Sequence, residues 1–244
     1  MDNIYELLSI PKQCRLKNRI ALNQIYKVSN LTAKEQKNFS ENVDKIYLIA
    51  EVNSNNCNYL PLINDELRYE TIQFIYIHLL KNNNIEEIDN ILHRLFPNPI
   101  VIIYEYNEEY SFSSSIKRIN KVDISKAVIN DIYNTSFNVQ DIFYKSLSNI
   151  FKDRKIKNIC ELYRSIDDCI YYQMLYQITN RFDYSLSIDE IKNKYKQIDE
   201  LKKENKQLKV IYNSEKNKAK QMDLFMKIKM NDSEIEKIIK EIEV

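Results

Sequence analysis

Glu70-Thr71-Ile72-Gln73-Phe74-Ile75-Tyr76-Ile77-His78-Leu79 is apolar at nearly every position. A strand with one wet face alternates polar and apolar residues, whereas a near-continuous apolar run predicts a strand buried on both faces. The residues after Leu79 extend that reading. From Asn84-Ile85-Glu86-Glu87 onward, Ile85, Ile88, Ile91, Leu92, Leu95 and Phe96 fall at helical spacing until Pro97 and Pro99 stop them. Ile100-Val101-Ile102-Ile103-Tyr104-Glu105-Tyr106 is a second β-branched and aromatic run. Strand, helix and strand in that order predict a crossover unit. Asn107-Glu108-Glu109 then makes a turn, and Tyr110 to Ile116 returns as its hairpin partner. Upstream, Lys45 to Val52 ends in the Asn-rich turn Asn53-Ser54-Asn55-Asn56 and reads as another strand. The result is a sheet of about four strands or more.

On the amino-terminal side, Leu7-Leu8-Ser9-Ile10-Pro11 is an apolar entry segment closed by proline. Thr32-Ala33-Lys34-Glu35 has the Thr-x-x-Glu form of a capping box and starts a helix through about Val43. After Phe137 the pattern turns helical. Val139, Ile142, Phe143, Leu147, Ile150 and Phe151 mark one amphipathic helix, and Ile156, Ile159, Cys160, Tyr163, Ile166 and Ile170 a second. Ser187-Ile188-Asp189-Glu190 is another capping box, opening a long charged helix. Within it Leu201, Asn205, Leu208 and Tyr212 step by four, three and four, which is a heptad seam. A lone Asn at a seam position fixes register and partner number. Asn231-Asp232-Ser233 interrupts the later apolar stripe and reads as a cap or a hairpin turn. The fold class is therefore α+β. A mixed α/β sheet domain with a crossover helix (1–136) is followed by a helical connector (137–186) and a coiled-coil tail (187–244).

Composition excludes more than it assigns. The 244 residues include no glycine. A Walker A loop, a G-x-G-x-x-G dinucleotide turn and a G-x-S-x-G elbow are all absent for that reason. Thirty-six Lys and Arg against thirty-five Asp and Glu leave a net charge of +1, which rules out a uniformly polybasic nucleic-acid binder. Mean hydropathy is −0.50, and no stretch approaches the roughly 20 apolar residues of a membrane span. Cys14, Cys57, Cys160 and Cys169 are scattered without a C-x-x-C pair, as in a cytoplasmic protein with reduced thiols.

Candidate chemistry is sparse. His78 lies inside a buried strand pattern and His93 on the polar side of a surface helix, so neither is expected beside a nucleophile. Asp65, Glu66 and Glu70 precede a strand, as the acids of a metal-dependent nuclease would, but no Glu-x-Lys follows in Gln73 to His78. Lys152, Arg154, Lys155 and Lys157 form the basic cluster most suited to phosphate contact. No catalytic residue, metal site or cofactor is expected.

The order of segments resembles the bacterial domain-of-unknown-function family 4391. The resemblance rests on Leu8-Ser9-Ile10-Pro11 leading to Leu31-Thr32-Ala33, the 39–46 segment and the Ile72 to Leu79 strand. It continues in Ile88-Asp89-Asn90-Ile91 before Phe96-Pro97-Asn98-Pro99-Ile100, and in a tail with Leu201, Glu215-Lys216 and Gln221-Met222. Relatives tend to carry Glu and Lys where this chain has Gln73, Tyr76 and His78, and a shorter stretch around 156–180. The resemblance implies an α/β domain with a coiled coil, often encoded beside helicases and DNA methyltransferases in restriction-like or phage-defence loci, with no activity assigned. The resulting expectation is a cytoplasmic, non-catalytic accessory protein. It would dock on a helicase or methyltransferase, with a partner or a second copy bound through the coiled-coil tail. A metal-dependent nuclease and a DNA-binding accessory are the alternatives.

Overall fold

The computed structural model describes residues 2–29, 31–122, 127–182 and 185–243. The chain forms two compact units, Met1–Gln177 and Ile178–Val244. In the first, helix α1 (Asp2–Leu7) leads through a tight turn to strand β1 (Arg15–Ile20), and α2 (Leu22–Ser29) and α3 (Ala33–Asn42) precede β2 (Val43–Asn53). The two-residue strands β3 (Leu62–Ile63) and β4 (Arg68–Tyr69) pair with each other. Then come β5 (Thr71–Leu79), α4 (Ile85–Leu95), β6 (Ile100–Tyr106), β7 (Glu109–Ile119), β8 (Ala127–Asn134), α5 (Asp141–Ile150) and α6 (Ile159–Thr179).

The main sheet has the order β1-β2-β5-β6-β7-β8. Only β5 and β6 run parallel, joined by the α4 crossover; the other neighbours are antiparallel. Along β5, Ile72, Phe74 and Tyr76 face one core with Phe143, Leu147, Tyr163 and Ile170 of α5 and α6. Ile75, Ile77 and Leu79 face a second core with Phe39 of α3 and Ile88 and Leu92 of α4. In β6, Val101 and Ile103 split from Ile100, Ile102 and Tyr104 in the same way. The two central strands are thus apolar on both sides because helices cover both. Full burial of an Ile or Phe contributes roughly 1.5–3 kcal/mol, against about 1 kcal/mol net for a ladder hydrogen bond, so side-chain size sets the register. Residues up to Gln177 belong to the first unit, where α5 and α6 supply one wall of the sheet's core.

The capping box at Thr32 is present, its hydroxyl accepting from Glu35 N at 3.3 Å while the Glu35 carboxylate accepts from Thr32 N at 2.7 Å. The same exchange at Ser187 and Glu190 starts α7 (Ile188–Ser214), which turns at residues 215–217 into α8 (Lys218–Ile242). These two helices are an antiparallel hairpin, tied by Lys194 Nζ to Glu241 at 2.6 Å and by the Tyr212 and Phe225 rings, whose centroids are 6.5 Å apart. Asn231-Asp232-Ser233 neither caps nor turns the chain but sits mid-helix in α8. With no glycine available, the turns that need positive φ use Ser9, Asn84, Asn107, Glu108 and Asn180 among the described residues.

Candidate functional site

Between α4 and the sheet lies a buried polar layer that the apolar pattern around it conceals. Asp89 sits one helical step from Ile88, and His93 one turn further on, so both point inward with Ile88 and Leu92. β7 meets them with serines, whose small side chains leave room for polar contacts from a helix. Asp89 accepts from Tyr104 Oη at 2.9 Å, from Ser113 Oγ at 2.7 Å and from Asn134 Nδ2 at 2.9 Å. His93 Nε2 lies 3.0 Å from Ser113 Oγ. Because that hydroxyl already donates to Asp89, Nε2 carries the proton and His93 Nδ1 is left without a partner. On the other face of β7, Ser114 Oγ donates to Asp167 at 2.7 Å, and Tyr163 Oη donates to the Ile100 or Ser115 carbonyl.

Burial sets the electrostatics. Removal from water pushes the Asp89 carboxyl up to about 7 against the pull of its three donors. Burial and the nearby Lys117 hold His93 well below its ordinary value, so the ring is neutral. Burial also lowers Lys117 to about 7; its Nζ donates to the Phe96 carbonyl and, at 2.9 Å, to that of Asn98. Those bonds hold the turn carrying Pro97 and Pro99 against β7.

Ser113, His93 and Asp89 are the three residue types of a hydrolase triad, but the geometry denies them that role. The serine donates to the carboxylate rather than to the imidazole, and all three side chains are sealed from solvent. A cleft of about 710 Å³ reaches the edge of the layer, lined by Lys34, Asn84, Ser111, Asn134, Thr135 and Phe137 among others. Asn134 stands between cleft and carboxylate, its Nδ2 on Asp89 and its Oδ1 accepting from Ser111 Oγ at 2.9 Å.

The residues singled out in the sequence fall elsewhere. The histidines exchange roles: His93 is fully buried, whereas the His78 side chain is 43% exposed and pairs with Asp44 at 3.1 Å. Asp65 and Glu66 are exposed, and Glu70 pairs with Arg68. Among the described residues, no three His, Cys, Asp or Glu side chains are grouped to hold a metal. Lys152, Arg154, Lys155 and Lys157 are all exposed on the connection between α5 and α6. In the hairpin seam Leu208 and Asn205 are buried, and Leu201 and Tyr212 partly so. Asn205 Nδ2 donates to Asp232 at 2.8 Å and its Oδ1 accepts from Asn231 at 3.0 Å, so the seam is filled by α8 of the same chain. The interrupting Asn231-Asp232 pair is the partner of the seam asparagine. No described helix is long and apolar enough to cross a membrane.

The outward side of α8 is different. Met222, Met226 and Met230, at i, i+4 and i+8, form one stripe and are 61%, 54% and 69% exposed, with Phe225 beside them at 42%. Ile228, Ile235, Ile238 and Ile242 already satisfy the opposite face of that helix.

The sequence profile of the family described as "Domain of unknown function (DUF4391)" matches residues 8–235. The chain is a member of DUF4391. That span takes in the six-stranded sheet, the α4 layer and α8 as far as Ile235, so the hairpin is part of the DUF4391 pattern rather than an appendage to it. No curated protein matches this DUF4391 chain, and no solved structure does.

Proposed function

We propose that this protein is a non-catalytic interaction subunit of a DNA-processing or phage-defence system, docking on a helicase or methyltransferase through the outward face of α8. The observation that carries the reading is the exposed methionine stripe. The seam of the hairpin is filled in cis, so Met222, Met226 and Met230 are not needed to hold α7 and α8 together. Flexible, polarisable methionines suit an adaptable apolar contact. The polar layer supports the same reading, since its acid and base are sealed and both spend a hydrogen bond on Ser113.

Introducing Met222→Glu and Met226→Glu together tests it. Both positions are exposed and Glu is a good helix former, so helicity measured by circular dichroism should not change. Tagged wild-type protein in a native extract is expected to retain a helicase or methyltransferase, identified by mass spectrometry, and the double variant at least tenfold less. Enrichment of neither enzyme, or equal retention by the variant, removes the proposal.

A nucleic-acid contact is the second reading, favoured by the exposure of all four basic residues at 152, 154, 155 and 157. Titrating labelled duplex DNA at several salt concentrations should give an affinity falling steeply with salt. Substituting Arg154→Glu and Lys155→Glu should flatten the logarithmic slope by about one for each phosphate that is no longer neutralised. A flat wild-type response eliminates it.

A further inference from the structure

Two of the four cysteines, 43 residues apart in sequence, meet with their sulfurs 3.0 Å apart. Cys14 ends the turn before β1, where the amino-terminal segment enters the sheet, and Cys57 sits in the Asn-rich turn after β2. Neither is in the disulfide state. From the observed separation, a shift of about 1 Å would bring the sulfurs to bonding distance. The surroundings orient them: Asn56 Oδ1 lies 3.4 Å from Cys14 Sγ, and that side chain is pinned by Asn53 N and the Glu51 carbonyl. Cys14 is 1% exposed and Cys57 9%, which admits a small oxidant to Cys57 first.

A shared metal fits this geometry less well. Two thiolates on a tetrahedral zinc, with bonds of about 2.3 Å, stand roughly 3.8 Å apart, and no third ligand is grouped with this pair among the described residues. Cys160 and Cys169 offer no competing pair with each other, because nine helical steps set them about 13.5 Å apart along α6.

We propose that Cys14 and Cys57 are a dithiol that a peroxide converts to an intramolecular disulfide, locking the amino-terminal segment to the turn after β2. Cys57 is the attacking sulfur. The hydrogen bond from the Cys14 thiol lowers the Cys57 thiol, and the same contact raises Cys14. The Cys57 thiolate attacks one oxygen of hydrogen peroxide, the O–O bond breaks, and hydroxide leaves to become water, giving a sulfenic acid. Cys14 then loses its proton and attacks that sulfur; the S–S bond forms, the S–O bond breaks, and the departing hydroxide takes up the proton. Two thiols and one peroxide become one disulfide and two waters, with two electrons passing to the peroxide.

The experiment treats the full chain, purified under reducing conditions, with a small excess of hydrogen peroxide. Maleimide labelling after denaturation should fall from four thiols to two, the intact mass should drop by two hydrogen atoms, and peptide mapping should join Cys14 to Cys57. The thermal midpoint should rise by roughly 5–10 °C, because the bridge closes a long loop. Cys57→Ser should abolish the thiol loss, while the Cys160→Ser, Cys169→Ser double variant should leave it intact. The mapping needs only the wild-type chain, so a variant that fails to fold does not blunt the test. A bridge between other cysteines, a sulfinic acid at Cys57 with Cys14 still free, or stoichiometric zinc on the untreated wild type that Cys14→Ser loses would each overturn it.

Discussion

Replacing Asp89 with leucine is expected to cost the first unit about 3–5 kcal/mol, one of the largest losses from a single side chain outside the apolar core. The carboxylate, itself 2% exposed, accepts from Tyr104, Ser113 and Asn134. Leucine leaves two buried donors, Tyr104 and Ser113, unmade at roughly 1–3 kcal/mol each and a third, the half-buried Asn134 amide, free to turn to the cleft, offset by the desolvation no longer borne by the acid, against a total typical of domains of about 5–15 kcal/mol. Asp89→Asn keeps one acceptor oxygen and should lose clearly less. Urea unfolding of both variants at one pH, with the slope unchanged, measures this as a shift in midpoint. A leucine variant within about 1 kcal/mol of wild type would show that the donors find other acceptors.

The second large effect appears only as a function of pH. Folded Lys117 titrates near 7, because burial disfavours its charge, whereas in the unfolded chain a lysine titrates near 10.4. Between those values the unfolded chain binds a proton the folded one refuses, so this residue makes stability climb as pH rises from 7 to about 10. At about 1.4 kcal/mol per unit the climb approaches 4 kcal/mol, and below pH 7 it is level because both states are charged. Comparing wild type with Lys117→Met cancels the other groups that titrate in this range, and the difference between their stabilities should carry that climb. A level difference would mean the ammonium stays charged on the Phe96 and Asn98 carbonyls. Asp89 acts with the opposite sign in a separate window. Its folded value near 7 lies above the unfolded value near 3.9, so its contribution falls between about pH 4 and 7 and is level beyond.

The central strands and crossover were legible because burial on both faces leaves an unbroken apolar record in β5 and β6. The edge strands left none. β1 reads Arg15-Leu16-Lys17-Asn18-Arg19-Ile20, a basic stretch by composition, since an edge strand half in water needs little apolar surface and is protected by charge. β8, at the other edge, is equally mixed, with Asn130 and Asp131 exposed. The polar layer stayed hidden for another reason. An acid and a histidine read by their chemistry as the wet side of α4, although a residue one position from Ile88 and another one position from Leu92 lie on the same inward face. The signal that could have found Asp89 and His93 is an acid and a histidine at i and i+4 bordering an apolar stripe, with serines in the facing strand. Cys14 and Cys57 meet only through the pairing of β1 with β2, which no local spacing encodes.

The Asn205, Asn231 and Asp232 contact also constrains how such a hairpin can change length. Residues added to α7 between Asn205 and the turn slide the amide off its partners unless α8 grows by an equal number between the turn and Asn231. Residues added at the turn, 215–217, lengthen both helices on the far side of the lock and disturb nothing below it. Growth and loss are therefore cheapest at the tip, and the methionine face, which begins there, can be extended or trimmed in relatives while the base of the hairpin keeps its alignment.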